Sequence, residues 1–330
     1  MLNLRKFMEK INTGSEAHLP AEKSSMNVAE PGMEYPLAVS YGEPMSAHTT
    51  FKVGGKADVW VRPGKDIFPV YAARLLKAAQ EEGIPVFILG SGANIVVSDR
   101  GIRGIVLDTG DYSGFVKQDD GSVLALCGTS VDELTGCLAE HGASGLEFLA
   151  GMPGSIGGAL WMNARCYEKS VSDALIETEI LDENFERKKI PFNADDFAYK
   201  KSPFQKRKVL ILSARFATQT REPAVMQKEI ASYRQDRSDK GHYRFPSAGS
   251  AFKNNRLFRD PTGKIIDQLG LRGFSVGGAQ LAPWHGNIVI NTGSASAADI
   301  RRLMDEVARR VKEERGFDLE SEIIFVGECE

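Results

Sequence analysis

Two segments of this sequence put glycine where a bound phosphate needs bare backbone. Leu89-Gly90-Ser91-Gly92-Ala93-Asn94 follows a short apolar run, and Gly151-Met152-Pro153-Gly154-Ser155-Ile156-Gly157-Gly158-Ala159 lies further along. Glycine has no Cβ and reaches positive φ cheaply, so its N–H can be aimed at an anion. Neither segment ends in Gly-Lys-Ser/Thr, which argues against nucleoside triphosphate hydrolysis on a P-loop. A Rossmann unit is the rival reading: Gly90-x-Gly92 follows a strand, and Asp108 lies near the offset of a ribose-binding acid. Against it, Ile95 replaces the third glycine, and Ile95-Val96-Val97 runs into the turn Ser98-Asp99-Arg100-Gly101, leaving no room for a crossover helix. Two phosphate-type loops in one α/β chain point instead to a dinucleotide lying between two subdomains.

The elements that must position these loops alternate between helix and strand. A helix is expected from Lys65, with Asp66 as cap, Ile67, Val70, Tyr71, Leu75 and Ala78 on one face, and Gly83 as stop. Strands follow at 85–89, 95–97 and 104–108. Ser130 and Glu133 form a capping-box pattern for a second helix, and Gly142 ends it. Strand-like runs come at 176–181 and 209–214. Pro223 then opens a helix to about Asp236, taken as the start of a third unit. After a strand at 287–291, Ser296 and Asp299 cap a long helix with Ile300, Leu303, Val307 and Val311 on one face; Gly316 stops it, and 322–326 reads as a last strand. The units are bounded as 37–110, 111–218 and 219–330. Residues 1–36 are polar and turn-rich and are read as a flexible extension, its first ten residues at most an amphipathic turn.

Composition excludes several classes of function. The chain's 330 residues carry 44 acidic and 41 basic side chains, a net charge of -3, which does not suit a nucleic-acid binder. Cys127, Cys137, Cys166 and Cys329 show no C-x-x-C spacing, so neither a zinc site nor a disulfide framework is expected. No apolar run approaches the roughly 20 residues of a membrane span, and the first residues lack the apolar core of a signal peptide. A cytoplasmic enzyme, with no metal, no membrane and no obligatory protein partner, is the expectation.

A family comes into view at the second glycine segment. Gly145 to Ala159 resembles the G-L-E-x-L-x-G-I-P-G-x-x-G-G-A signature of the UDP-N-acetylenolpyruvoylglucosamine reductases. Thr50-Phe51-Lys52-Val53-Gly54-Gly55 is similar to that family's T-F-x-x-G-G, and Gly90 to Asp99 to its G-x-G-S-N-x-L-x-x-D loop. Pro246-Ser247-Ala248-Gly249-Ser250-Ala251-Phe252-Lys253-Asn254 resembles P-S-A-G-S-x-F-K-N. Gly277-Gly278-Ala279-Gln280, His285, Asn287 and Asn291-Thr292-Gly293 follow the later pattern in order. The absence of a longer tyrosine-bearing loop between Tyr167 and Phe216 places the chain with the shorter, second type.

The resemblance implies a flavin-binding fold of the vanillyl-alcohol-oxidase type, two α/β subdomains around FAD and a C-terminal α+β domain over the substrate. It implies NADPH as hydride source and UDP-N-acetylglucosamine enolpyruvate as substrate. Gly90, Ser91, Gly92, Ala93, Asn94, Gly151, Pro153, Gly154, Ser155, Gly157, Gly158 and Ala159 would cradle the FAD pyrophosphate, with Asn163 and Tyr167 approaching the cofactor. Ser250 matches the proton-donor serine and Glu322 the glutamate beside it. Lys253, Asn254 and Gln280 are substrate contacts by the same matching, and Arg234, Arg237, Lys240 and Arg244 are candidates for the diphosphate, with Arg237 put forward.

The chain departs from the pattern twice. Tyr199-Lys200-Lys201-Ser202-Pro203-Phe204 stands for Tyr-Arg-x-Ser-x-Phe, so Lys200 keeps the charge of the family's arginine but not its planar fork. Asn163-Ala164-Arg165-Cys166-Tyr167-Glu168 stands for N-A-G-A-Y-G, and Arg165 either replaces the missing guanidinium or points to solvent. The competing functions are a flavin oxidase of the same fold and a flavin- or UDP-sugar-binding protein without activity.

Overall fold

The computed structural model describes residues 2–13 and 37–328. Its first sheet runs in the order Leu37–Pro44, Lys56–Pro63, Ile102–Asp108, Val86–Leu89, with the last three strands parallel. Strand alternation decides what each face meets. Val59, Val61, Ile105 and Leu107 point to one core with Phe68, Ala72, Leu75 and Ala79 of helix α2 (Phe68–Glu81). Their neighbours Trp60 and Val106 point to the other side, against Met45 and Leu89. The expected stripe of α2 is met in part: Leu75 is buried and Tyr71 and Ala78 pack against this core, but Val70 is 50% exposed, and Asp66 makes no cap because the N-cap position falls on Ile67.

Residues 2–13 also depart from expectation. They form helix α1 (Leu2–Thr13), and Phe7, Met8 and Ile11 are buried in the same core as α2. The spacing 7, 8, 11 puts all three on one stripe, so this part of the segment read as a flexible extension is a packed helix. The rest of that extension, and Cys329, lie outside the described residues.

The second sheet is antiparallel throughout, in the order Arg187–Pro191, Leu175–Leu181, Leu210–Phe216, Val123–Leu126, Phe115–Lys117. Helices α3 (Val131–Glu140) and α4 (Ile156–Trp161) pack beside it, and Ser130 caps α3 by accepting from the Glu133 N–H. Helix α5 (Pro223–Asp239), expected to open the third unit, instead buries Met226 and Ile230 against Ala139 and Ala150 of this second layer.

The third sheet runs Ser247–Ser250, Ile288–Asn291, Ala279–Leu281, Ser275–Val276, backed by α6 (Thr262–Gln268) and α7 (Ala297–Arg315). The expected face of α7 is the buried one: Ile300, Leu303, Val307 and Val311 sit in one core, Ser296 and Asp299 complete a capping box, and Gly316 is left-handed at φ 73°. Phe51, Val53 and Val96 enter this core from the first unit. The last strand, Ile324–Val326, leaves the third sheet and pairs in parallel with Ile95–Val97.

Candidate active site

The two glycine segments meet. A Cβ on Gly90 would collide with the Ser155 hydroxyl, and one on Gly92, at φ 62°, would overlap the His48 carbonyl. Glycine is required at both places by close approach, and at Gly92 by its backbone conformation as well. Among the described residues, the N–H groups of Gly90 to Asn94 find no protein acceptor, while the Gly92 and Asn94 carbonyls accept from Thr50 and Ile324. The loop thus fixes its carbonyls to the fold and leaves a run of donors for an anion, a concavity of the nest kind. A cavity of about 300 Å³ opens beside it, lined by Gly90, Ser91, Ser155, Ser130, Glu133 and Arg62.

The second segment does a different job from the one expected of it. The Gly151 N–H donates to Asp132, Ile156 N–H to the Thr129 carbonyl, Gly157 N–H to Cys127, and Ala159 N–H to Ser155. Gly158 N–H donates to the Ser155 hydroxyl, which caps α4. The Gly157 amide thus holds α4 to the end of the second sheet, Gly151 is tied to α3, and Gly158 and Ala159 close the first turn of α4, so all four amides already have acceptors within the protein. Gly157 is needed because its missing side chain would press on Cys127. Gly154, at φ 146°, faces open space, and Ser155 faces the cavity. The Rossmann rival falls on Asp108: its carboxylate is 2% exposed and accepts from Trp60 Nε1, Arg62 and the Gly110 N–H.

A second centre forms where the chain's end crosses the third sheet. Ser250 closes the strand Ser247–Ser250; Ala251 then accepts the Glu322 N–H at 2.8 Å and Lys253 N–H donates to Glu320 at 2.9 Å. Lys200 Nζ reaches Glu322 Oε1 at 2.5 Å, and the Tyr199 hydroxyl accepts the Asn254 N–H at 3.2 Å. Residues from the second sheet's loop, from the serine strand and from the returning segment therefore converge. The two centres are one structure, because Asn94 Nδ2 donates to the Glu322 carbonyl at 3.0 Å and Ile324 N–H donates to Asn94.

Proteins of known family resemble this chain over most of its length. Residues 241–326 match the family model described as UDP-N-acetylenolpyruvoylglucosamine reductase, C-terminal domain, and residues 72–186 match an FAD binding domain. The reductase of that name from Treponema denticola is 39% identical, over 88% of this chain and 94% of its own length. That of Borreliella burgdorferi is 36% identical over 86% and 93%. The solved structure of the Thermus caldophilus reductase superposes with a TM-score of 0.70 at 29% identity, covering 88% of this chain and 99% of that one. This chain belongs to the UDP-N-acetylenolpyruvoylglucosamine reductase family.

In a UDP-N-acetylenolpyruvoylglucosamine reductase the free N–H groups of Gly90 to Asn94 have the chemistry that a pyrophosphate such as that of FAD requires. The departures from the family pattern also resolve. Arg165 does not substitute for the missing arginine: it bonds Glu168 at 2.8 Å and Ser170 at 3.3 Å inside its own hairpin, leaving Lys200 as the cation at Glu322. Asn163, expected at the cofactor, is 3% exposed with its amide already engaged, donating to Ala198 and accepting from Ser172. Tyr167 turns to α5, its hydroxyl donating to Asp236 at 2.6 Å and its ring against Tyr233.

The substrate candidates divide in the same way. Lys253 pairs with Glu320 at 2.5 Å, and the Asn254 carboxamide accepts the Thr262 N–H at the head of α6. Gln280 donates to Gly273 and Ser275 and pins a hairpin. Arg234 and Lys240 are neutralised by Asp132 and Asp236, and Arg244 lies over the Trp284 ring. Arg237 has no carboxylate partner among the described residues; its Nε is buried without a hydrogen bond and a terminal nitrogen meets Cys166 Sγ at 3.8 Å. Burial, with Arg237 nearby, pushes His242 down to about 4, so it is neutral near pH 7. The sequence carries no signal for Asp132 or for the tie from Asn94 to Glu322, since both partners are remote in the chain.

Proposed function

We propose that this chain reduces UDP-N-acetylglucosamine enolpyruvate to UDP-N-acetylmuramate with NADPH, as a step in peptidoglycan precursor synthesis. The observation that carries this reading is the Lys200–Glu322 pair beside the Ser250 strand, tied through Asn94 to the donor-rich loop. The loop Gly90 to Asn94 would hold FAD, which would supply to one carbon of the enolpyruvyl double bond the hydride taken from NADPH. Ser250 gives a proton to the neighbouring carbon and is reprotonated from solvent, completing the addition of two hydrogens across that bond. Lys200 stabilises the substrate carboxylate as negative charge grows toward it, the electrostatic term that such sites supply. Glu322 holds Lys200 in place and assists the protonation. Arg237 is the candidate for the diphosphate, because no carboxylate among the described residues pairs with it.

No helix among the described residues is long and apolar enough to cross a membrane, and a UDP-sugar precursor is made where nucleotides are, so the site of action is taken as the cytoplasm. The deciding experiment measures NADPH oxidation by the purified yellow protein with and without the enolpyruvyl UDP-sugar. Oxidation that depends on the UDP-sugar and yields UDP-N-acetylmuramate is expected. Oxidation indifferent to it would favour a flavin oxidase, and none at all, with flavin bound, a binding protein.

A further inference from the structure

Lys200 sits in a conformation that the backbone must be made to adopt. Its φ is 56°, in the left-handed region that disfavours any residue bearing a side chain. The turn around it is closed by two hydrogen bonds, Ala198 N–H to Lys201 and Lys201 N–H to Ala198, with Tyr199 and Lys200 at the tip. One side chain grips the tip itself. Gln205 Nε2 donates to the Lys200 carbonyl at 3.1 Å and to the Trp161 carbonyl at 3.0 Å. Trp161 is the last residue of α4, whose N-cap Ser155 lies against Gly90. The Ser202 hydroxyl donates to the same Trp161 carbonyl at 2.7 Å.

We infer that Gln205 is a positioning residue for the reduction step: it sets Lys200 against Glu322 by referencing the Lys200 backbone to the end of α4. The inference rests on the role proposed above for Lys200. It follows from this chain's lysine in particular. An arginine imposes its own geometry through two parallel bonds, whereas a lysine is a point charge on a four-carbon stem. Where the ammonium lies then depends on where its Cα is held, and Gln205 holds it.

The test compares the two half-reactions by stopped flow in four proteins: wild type, Gln205→Met, Lys200→Ala, and the double variant. Methionine keeps the length and removes both donors. Gln205→Met is expected to bind flavin normally, to leave NADPH-to-flavin transfer unchanged, and to slow flavin-to-substrate transfer about 10-fold. The double variant should be no slower than Lys200→Ala, since residues acting through one another are not additive. Gln205→Met combined with Lys200→Arg should recover most of the loss. A crystal structure of Gln205→Met should show the Lys200–Glu322 contact opened. If Lys200→Ala slows the second step and Gln205→Met does not, or if the two effects add, the inference about Gln205 is wrong. An equal slowing of both half-reactions by Gln205→Met also overturns it, as a general structural effect. If Lys200→Ala itself is without effect, the role of Lys200 is what has failed.

Discussion

Lys200 Nζ and Glu322 Oε1 lie 2.5 Å apart, with only 13% and 12% of their side-chain surfaces exposed. They come from two different motifs, one in the loop after the second sheet's edge strand and one in the segment returning from the third domain. A pair so sheltered is asymmetric in its energetics: leaving one charge without the other costs roughly 3–5 kcal/mol, whatever the pair itself contributes.

Lys200→Ala is therefore expected to lower both activity and stability. Flavin-to-substrate transfer should fall by about two orders of magnitude, in the range of losing one charge-stabilising group, while NADPH-to-flavin transfer stays near wild type. Thermal unfolding of Lys200→Ala should drop further than that of a Lys200→Ala, Glu322→Gln double variant. Stopped-flow absorbance of the flavin and a thermal melt check the two halves of the claim.

Ser250→Ala should separate the half-reactions more sharply. Loss of a proton donor costs about 10²- to 10⁴-fold, so reduced flavin should form at the normal rate and persist when the enolpyruvyl UDP-sugar is added. Rapid reoxidation by that substrate in the variant would remove Ser250 from the mechanism.

Gly90→Ala should release flavin, because the new methyl occupies the place of the Ser155 hydroxyl. Adding Ser155→Ala removes that hydroxyl and should restore part of the bound flavin, at a cost of about 1 kcal/mol for the lost cap of α4. The ratio of flavin to protein absorbance reads the result directly.

Arg237→Ala should raise the KM for the UDP-sugar by roughly 10- to 100-fold, the worth of a charged hydrogen bond, with little change in kcat. Lys240→Ala, whose cation already answers Asp236, should change the KM far less. Steady-state kinetics of the two variants side by side distinguish them.

His242 gives the stability of the protein an acid limb. Its folded-state value, about 4, is depressed below the usual 6.5, and burial also lowers His285. The unfolded chain then binds more protons between those values, so the stabilisation is complete above about 6.5 and is lost as pH falls toward 4. Melting temperatures measured across that window should decline, and His242→Gln should make the decline shallower.

Legibility in the sequence followed locality. The capped helix α7, the Ser130 cap and the short strands were readable because Ser-x-x-Asp, Ser-x-x-Glu and apolar runs act within one turn or one strand. On α2 the spacing places Leu75, Tyr71 and Ala78 on the core side but not Val70, because the sheet it covers centres the stripe on Phe68, Ala72, Leu75 and Ala79. Helix α1 was missed because twelve residues with charges throughout look like a solvated turn until a neighbouring helix supplies the other half of the contact. In the site, Ser250, Glu322 and Lys200 were named from a family resemblance, and their convergence lay beyond any local signal. The glycines of the second segment looked like phosphate ligands because a helix start and an anion site use the same chemistry, exposed N–H groups free of side chains; here the protein itself takes most of them.

The parallel pairing of Ile324–Val326 with Ile95–Val97 has a consequence for how the molecule comes into being. The loop at Gly90 to Asn94 is made early, whereas Glu322, to which Asn94 is tied, follows it 228 residues later and the strand that fixes the loop's exit comes after that. A nascent chain can fold its first two sheets and still lack a finished cofactor loop. Flavin loading and assembly of the reducing centre are thus coupled to synthesis of that returning segment, and a product terminated before it is expected to be colourless as well as inactive.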